Sequence, residues 1–150
     1  MANVIPFSFR GALFSGNHDF ATSGNTFKLA LYTAGSGSPY STASTVYTSG
    51  TANQVGTSGT GYSTGGKALT SQAVASGTAV ASVDFADVEW TTATFTAAYG
   101  VIYNSSTVDT VADRLVVVLD FGGDKTCTNG TFKITFPDPS TPADAIISMS

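Results

Sequence analysis

RLVVVLDFGGDKTCTNGTFKITF, residues 114 to 136, holds two kinds of strand signal separated by a run of turn formers. The opening RLVVVLDF is apolar at consecutive positions, so both faces of a pleat are hydrophobic and the segment reads as a central, fully buried strand. The closing TFKITF alternates. Phe132, Ile134 and Phe136 take one face, Lys133 and Thr135 the other, which is the pattern of a half-buried strand. Between the two, Gly122, Gly123, Asn129 and Gly130 tolerate left-handed backbone, and the simplest reading is a hairpin turn. Pro137 and Pro139 end the second strand, because proline cannot donate to a ladder.

The same signals recur on both sides. FKLALYT, residues 27 to 33, alternates with Phe27, Leu29 and Leu31 on one face. VDFADVEW places Val83 and Phe85 on one face and Val88 and Trp90 in the opposite phase, so a bulge or bend is expected at Ala86-Asp87. TFTAAYGVIYN, residues 94 to 104, continues as strand, and AIIS, residues 145 to 148, is a candidate last strand. YNSS and DPSTP supply further turn signals. About seven short strands at this spacing predict an all-β fold, a single-domain β-sandwich or jelly-roll-like structure.

Composition agrees. The 150 residues suffice for one domain with a substantial core. Only 11% are charged, against about a quarter in ordinary domains, and roughly a quarter are Ser or Thr. Net charge is −4, with six scattered Lys and Arg. That excludes the basic footprint a nucleic-acid partner requires. Cys127 is the single cysteine, so no internal disulfide forms and a reducing cytoplasm is the expected folding compartment. The N-terminal stretch lacks a basic run followed by a long apolar region, so no signal peptide is expected, and no segment reaches membrane-spanning length.

Two regions stand apart from the strand pattern. Residues 1 to 20 form an extended aromatic N-terminal segment with Phe7, Phe9, Phe14 and Phe20, followed by a β-sandwich domain over residues 21 to 150. Arg10, Leu13 and Phe14 sit at helical spacing, although Gly11 weakens a helix there. These aromatics either pack on the chain's own core or anchor a neighbour, and Phe7, Phe9, Arg10, Phe14 and Phe20 are the candidate assembly contacts. The second region is a long polar loop, residues 34 to 66, carrying Tyr40, Tyr47 and Tyr62. They read as aromatic pegs on a surface loop, the candidate surface contacts. Loops of this length in compact domains are usually functional or disordered.

Candidate chemistry is sparse. Gly61 to Lys67 meets the spacing of a phosphate-binding loop, but Ala68 stands where the metal-holding Ser or Thr belongs, and the residues after it read as strand rather than helix. His18 has only Asp19 beside it, which reads as a hydrogen-bonded structural pair. Asp120-Phe121-Gly122 lacks the partners of a kinase site, and Asp120 with Asp124 falls short of a calcium loop. Asp84, Asp87 and Glu89 flank one another rather than face across a cleft. Cys127 has only Lys125 nearby. The sequons at Asn104 and Asn129 carry weight only in a secreted chain. No catalytic residue, cofactor or metal is expected.

GNHDFATSGNTFKLALYT, GTGYSTGGKALT, FADVEWTTATFTAAYGVIYN and VLDFGGDKTCTNGTFKITFP together resemble a group of small virion proteins of tailed bacteriophages, over about Gly16 to Pro137. The resemblance implies a β-rich structural protein on the particle, foremost a capsid decoration (cement) protein. It would bind the major capsid protein as a homo-oligomer, with a trimer among the expected states, and would involve neither nucleic acid nor membrane. The alternative it leaves is a tail fibre, baseplate or receptor-binding module, in which Tyr40, Tyr47 and Tyr62 stack on host glycans. Few lysines guard its strand edges, a hazard that permanent assembly removes.

Overall fold

The computed structural model describes residues 3–77, 80–137 and 145–149. Pro139 and the DPSTP turn lie outside the described residues. Among the described residues one helix, α1 (Phe7–Phe14), precedes seven strands: β1 (Phe27–Tyr32), β2 (Lys67–Ala68), β3 (Ala73–Ser76), β4 (Ala81–Asp84), β5 (Val88–Asn104), β6 (Arg114–Ile134) and β7 (Ile147–Met149). They form two antiparallel sheets, ordered β2-β1-β5-β6 and β3-β4-β7. The chain is all-β and sandwich-like, as the strand spacing predicts.

The hairpin expected at Gly122 to Gly130 is absent. β6 runs through it as one strand, antiparallel to β5 along its length. Ala97 faces Lys125 and Tyr99 faces Asp120, so Phe121 to Asp124 oppose only Ala98. Gly122 and Gly123 take φ of +72° and +122°, and Asn129 takes +48°. These are the conformations a turn needs, used here to bulge a strand. The physical reason is β5: an unbroken partner of 17 residues keeps pairing beyond the glycines, so the chain bends without reversing. The hairpin's true turn is at Val108 and Val111, which bond to each other around Asp109 and Thr110 at φ +48° and +66°.

A second expectation also changes. RLVVVLDF belongs to an edge strand, not a central one, yet Leu115, Val116, Val117 and Val118 are all buried. Other segments cover it: Val4 bridges to Val118 and Val46 to Arg114, and α1 lies against it. Both faces of the four-stranded sheet are therefore covered. Phe27, Leu29 and Leu31 project into one apolar cluster with Phe20, Trp90, Phe95 and Phe132. Ala30 and Tyr32 project into another with Tyr47, Tyr103 and Leu115.

The bend expected at Ala86-Asp87 is real. β4 ends at Asp84 and β5 begins at Val88, and between them the chain crosses from the three-stranded sheet to the four-stranded one. Asp87 accepts the Phe136 N–H at 2.9 Å and pairs with Lys133 at 2.9 Å, pinning the crossing to the far end of β6. AIIS supplies the last strand, through Ile147.

Candidate functional site

The N-terminal segment is a seated helix rather than a free arm. Pro6, in extended conformation, precedes α1. Phe7 N–H donates to the Thr42 carbonyl at 2.9 Å and Ser8 Oγ to the Ser44 carbonyl at 2.9 Å, which ties the first turn to the polar loop. The end is a glycine cap: Asn17 N–H donates to the Ala12 carbonyl at 2.8 Å and Gly16 N–H to the Leu13 carbonyl at 3.1 Å, with Gly16 at φ +70°. This six-to-one, five-to-two pair satisfies carbonyls that the helix leaves open. Gly16 was the sequence signal for it.

The five candidate assembly residues divide. Phe9 and Phe20 are 2% and 5% exposed and lie in the chain's own core, so they are not available to a neighbour. Phe9 packs because Ala12 and Leu13 share its side of the helix. Phe7, Arg10 and Phe14 point outward, Phe7 at 62% and Phe14 at 94% exposure. Phe7, Arg10 and Phe14 recur at helical spacing along one stripe, and the Arg10 guanidinium lies 5.6 Å from the Phe7 ring centre.

His18 comes after the helix and sits among aromatic rings, 5.0 Å from Phe9, 6.0 Å from Phe20 and 6.4 Å from Phe27 between centroids. Its expected pairing with Asp19 does not form. Asp19 Oδ1 instead accepts the Ala21 N–H at 2.9 Å, and His18 Nδ1 meets Asn104 Nδ2 at 3.2 Å. Asn104 Oδ1 accepts the Ser106 N–H, so its amide nitrogen must face the histidine. Nδ1 is then the acceptor and Nε2 carries the proton, with no hydrogen-bond partner among the described residues. Burial, with Arg114 adding repulsion, lowers the His18 pKa to about 4, so the ring is neutral at neutral pH.

Beside this hub an open cleft of about 520 Å³ lies between the helix end and the three-stranded sheet. Leu13, Phe20, Val74, Val83 and Met149 form its apolar walls, with His18 at its side. Val74 and Val83 are paired across β3 and β4, and Met149 belongs to β7. Val74 is 60% exposed and Met149 57%.

The tyrosines of the long loop are posts rather than pegs. Tyr47 and Tyr62 are 5% and 3% exposed, and Tyr40 is half-buried. Tyr47 stacks on Tyr103 at 4.1 Å and 9°. Gln54 Nε2 donates to the hydroxyls of Tyr47 and Tyr62 at 2.9 and 3.1 Å, and the Leu31 N–H donates to Tyr62 at 3.0 Å. Tyr40 and Tyr32 join hydroxyls at 3.3 Å. Burial raises the pKa of Tyr62, and that of Tyr103 and Tyr32 well above the usual phenol range. A polar loop is thereby fastened to a sheet through phenols whose rings are dry and whose tips are bonded.

The remaining motifs are architectural. A Cβ on Gly66 would collide with the Leu29 carbonyl, and Lys67 Nζ donates to the Glu89 carbonyl at 2.6 Å, so the glycine-lysine run brings the chain close against β1. Asn104 is fully buried, which closes its sequon. Cys127 is half-buried opposite Phe95. Among the described residues no three His, Cys, Asp or Glu are grouped to hold a metal, and no helix is long and apolar enough to cross a membrane. No protein-family model matches this chain, no curated protein matches it, and no solved structure matches it.

Proposed function

We propose that this chain is a bacteriophage virion structural protein, a capsid decoration protein that binds the major capsid protein and stabilises the head shell as a homo-oligomer. The reading rests on the sequence resemblance over Gly16 to Pro137. The structural observation that carries it is the outward stripe of α1. Phe7, Arg10 and Phe14 stand on a helix held at both ends by hydrogen bonds, with its inner face locked into the core. A rigidly mounted aromatic stripe presents contact area without a large ordering cost on association, as a protein that must stiffen a lattice requires. The tail alternative drew on three exposed tyrosines; Tyr47 and Tyr62 are interior, which leaves the half-buried Tyr40 as its glycan contact. The deciding experiment is the copy number of the chain in purified particles relative to the major capsid protein. Comparable abundance is the expected result; a few copies per particle, or none, would overturn the decoration role.

A further inference from the structure

Phe14 has no structural reason to be aromatic in the isolated chain. At 94% exposure it packs on nothing, phenylalanine is a poorer helix former than the polar residues that usually fill such positions, and the glycine cap that ends α1 uses only backbone groups at Ala12, Leu13, Gly16 and Asn17. Leu13, its neighbour, is on the rim of the apolar cleft whose walls include Val74, Val83 and Met149. Val74 and Met149 are, with Phe7 and Phe14, the exposed large hydrophobic residues among the described part of the chain. A protruding ring and an open apolar cleft therefore occur side by side.

From this juxtaposition we infer that Phe14 of one copy seats in the Leu13–Val74–Met149 cleft of a second copy, and that this contact is the self-association surface of the protein. It rests on the homo-oligomer element of the proposed function, not on the capsid. The fit is chemical and dimensional. The cleft is walled by Leu13, Phe20, Val74, Val83 and Met149, with His18, Asp19 and Thr22 also in its lining, and the knob is a bare phenyl ring. A cavity of about 150 Å³ already holds a benzene, so about 520 Å³ takes the ring together with part of the helix that bears it. Because knob and cleft belong to one patch, each copy can offer both to its neighbour, which is what a closed symmetric oligomer requires. A ring as open as Phe14 brings roughly 150–250 Å² to the contact. That is a fifth to a third of the ~800 Å² each partner gives a standard interface, and Val74 and Met149 extend the same surface.

The competing surface is the outer edge of β6, a long edge strand at the margin of its sheet. That edge is already broken by bulges at Phe121–Asp124 and near Asn129 and carries Lys125 and Lys133, devices that discourage strand addition. The patch around Phe14 carries only Arg10 one turn back and Asp19 in the cleft lining, charges of opposite sign that two copies can pair.

The test is self-association of the full chain, measured by light scattering on a sizing column and by sedimentation. The expected result is a mass of two or more chains at micromolar concentration. Phe14→Ser should weaken association at least tenfold, as for an interface anchor, with an unchanged unfolding midpoint at dilutions where both chains are monomers. Phe14→Leu should retain it. Position is tested by mixing Phe14→Cys with Val74→Cys, both in a Cys127→Ser background: oxidation should link the two different variants. A monomeric wild-type chain, an oligomer indifferent to Phe14→Ser, or a failure of the mixed pair to link at concentrations where the two variants still associate each overturns the inference. If the chain is monomeric and Phe14→Ser instead loses particle binding, the ring serves the shell, so the inference fails and the decoration reading survives. If the oligomer depends on Phe14 but the chain is absent from particles, the reverse holds.

Discussion

The two faces of the four-stranded sheet are built from different aromatics. One is covered mainly by phenylalanine: Phe20 and Phe27 stack at 4.4 Å and 6°, Phe85, Phe95 and Phe132 continue the cluster, and Trp90 and Tyr62 close its end against Phe95. The other is covered by tyrosine, with Tyr32, Tyr47 and Tyr103 buried and Tyr40 and Tyr99 packed against them. The difference comes from the segment that lies above each face. The phenylalanine side meets the three-stranded sheet, whose strands bond to one another, and takes only Val55 and Tyr62 from the long loop. Part of the cover on the tyrosine side is the Ser- and Thr-rich loop of residues 34 to 66, whose backbone has little secondary structure of its own, and a hydrocarbon ring there would strand polar groups away from water. Phenols supply apolar area and a hydrogen bond at once. Tyr103, for instance, donates to the Gly65 carbonyl at 2.8 Å.

Three substitutions put that contrast to the test. The largest effect is expected on the phenylalanine side, where Phe27 is fully buried between Phe20 and Phe85. Phe27→Ala should cost about 3–5 kcal/mol in urea unfolding. A loss below about 1 kcal/mol would mean that the sheets do not close over this ring.

The next effect concerns the polar residue in the same hydrocarbon cluster. His18 is neutral when folded and its pKa is lowered to about 4 from 6.5. The unfolded chain therefore takes up its proton first as pH falls, and the fold loses stability from about pH 6.5 downward until the folded ring also titrates near pH 4. The accumulated loss is about 3 kcal/mol. His18→Phe, which keeps a ring in the stack, should flatten the pH profile in that window. Equal slopes in the two proteins would show that the imidazole is not held neutral.

The smallest is on the tyrosine side. Tyr103→Phe keeps the stack on Tyr47 and removes one hydroxyl, leaving the Gly65 carbonyl without its donor. The expected cost is about 1–2 kcal/mol, together with faster amide exchange in residues 60 to 66. A neutral result would mean that water replaces the phenol and that the loop is fastened by packing alone.

The sequence made some of this legible and hid the rest for identifiable reasons. The alternation of Phe132, Lys133 and Ile134 and the phase change at Ala86-Asp87 are local properties of a pleat, and both appear in the structure. Gly122, Gly123 and Asn129 adopt left-handed backbone as their residue types suggest. Whether such residues reverse a strand or only bulge it depends on a partner, and β5 lies a whole connection away. The tyrosines misled because the same side chain suits a wet surface and a bonded interior, and the polar neighbours of Tyr47 and Tyr62 suggested the former. Within the N-terminal segment the spacing of Phe7, Arg10 and Phe14 marked a stripe. That Phe9 turns the other way follows from the helix period, which puts it on the side of Ala12 and Leu13, and Phe20 reaches the core because Gly16 stops the helix and turns the chain back.

The seat of α1 has a consequence for synthesis. The helix and its preceding strand residue rest on β6, through Val4 and Val118, about a hundred residues later in the chain. At about 5–20 residues per second, α1 emerges from the ribosome roughly 5–20 s before the β6 surface it rests on exists. During that interval the helix has only its earlier partners, such as Thr42 and Ser44, and Phe9 lacks the β6 side of its seat, so this is the part of the nascent chain on which a chaperone or a premature neighbour would act.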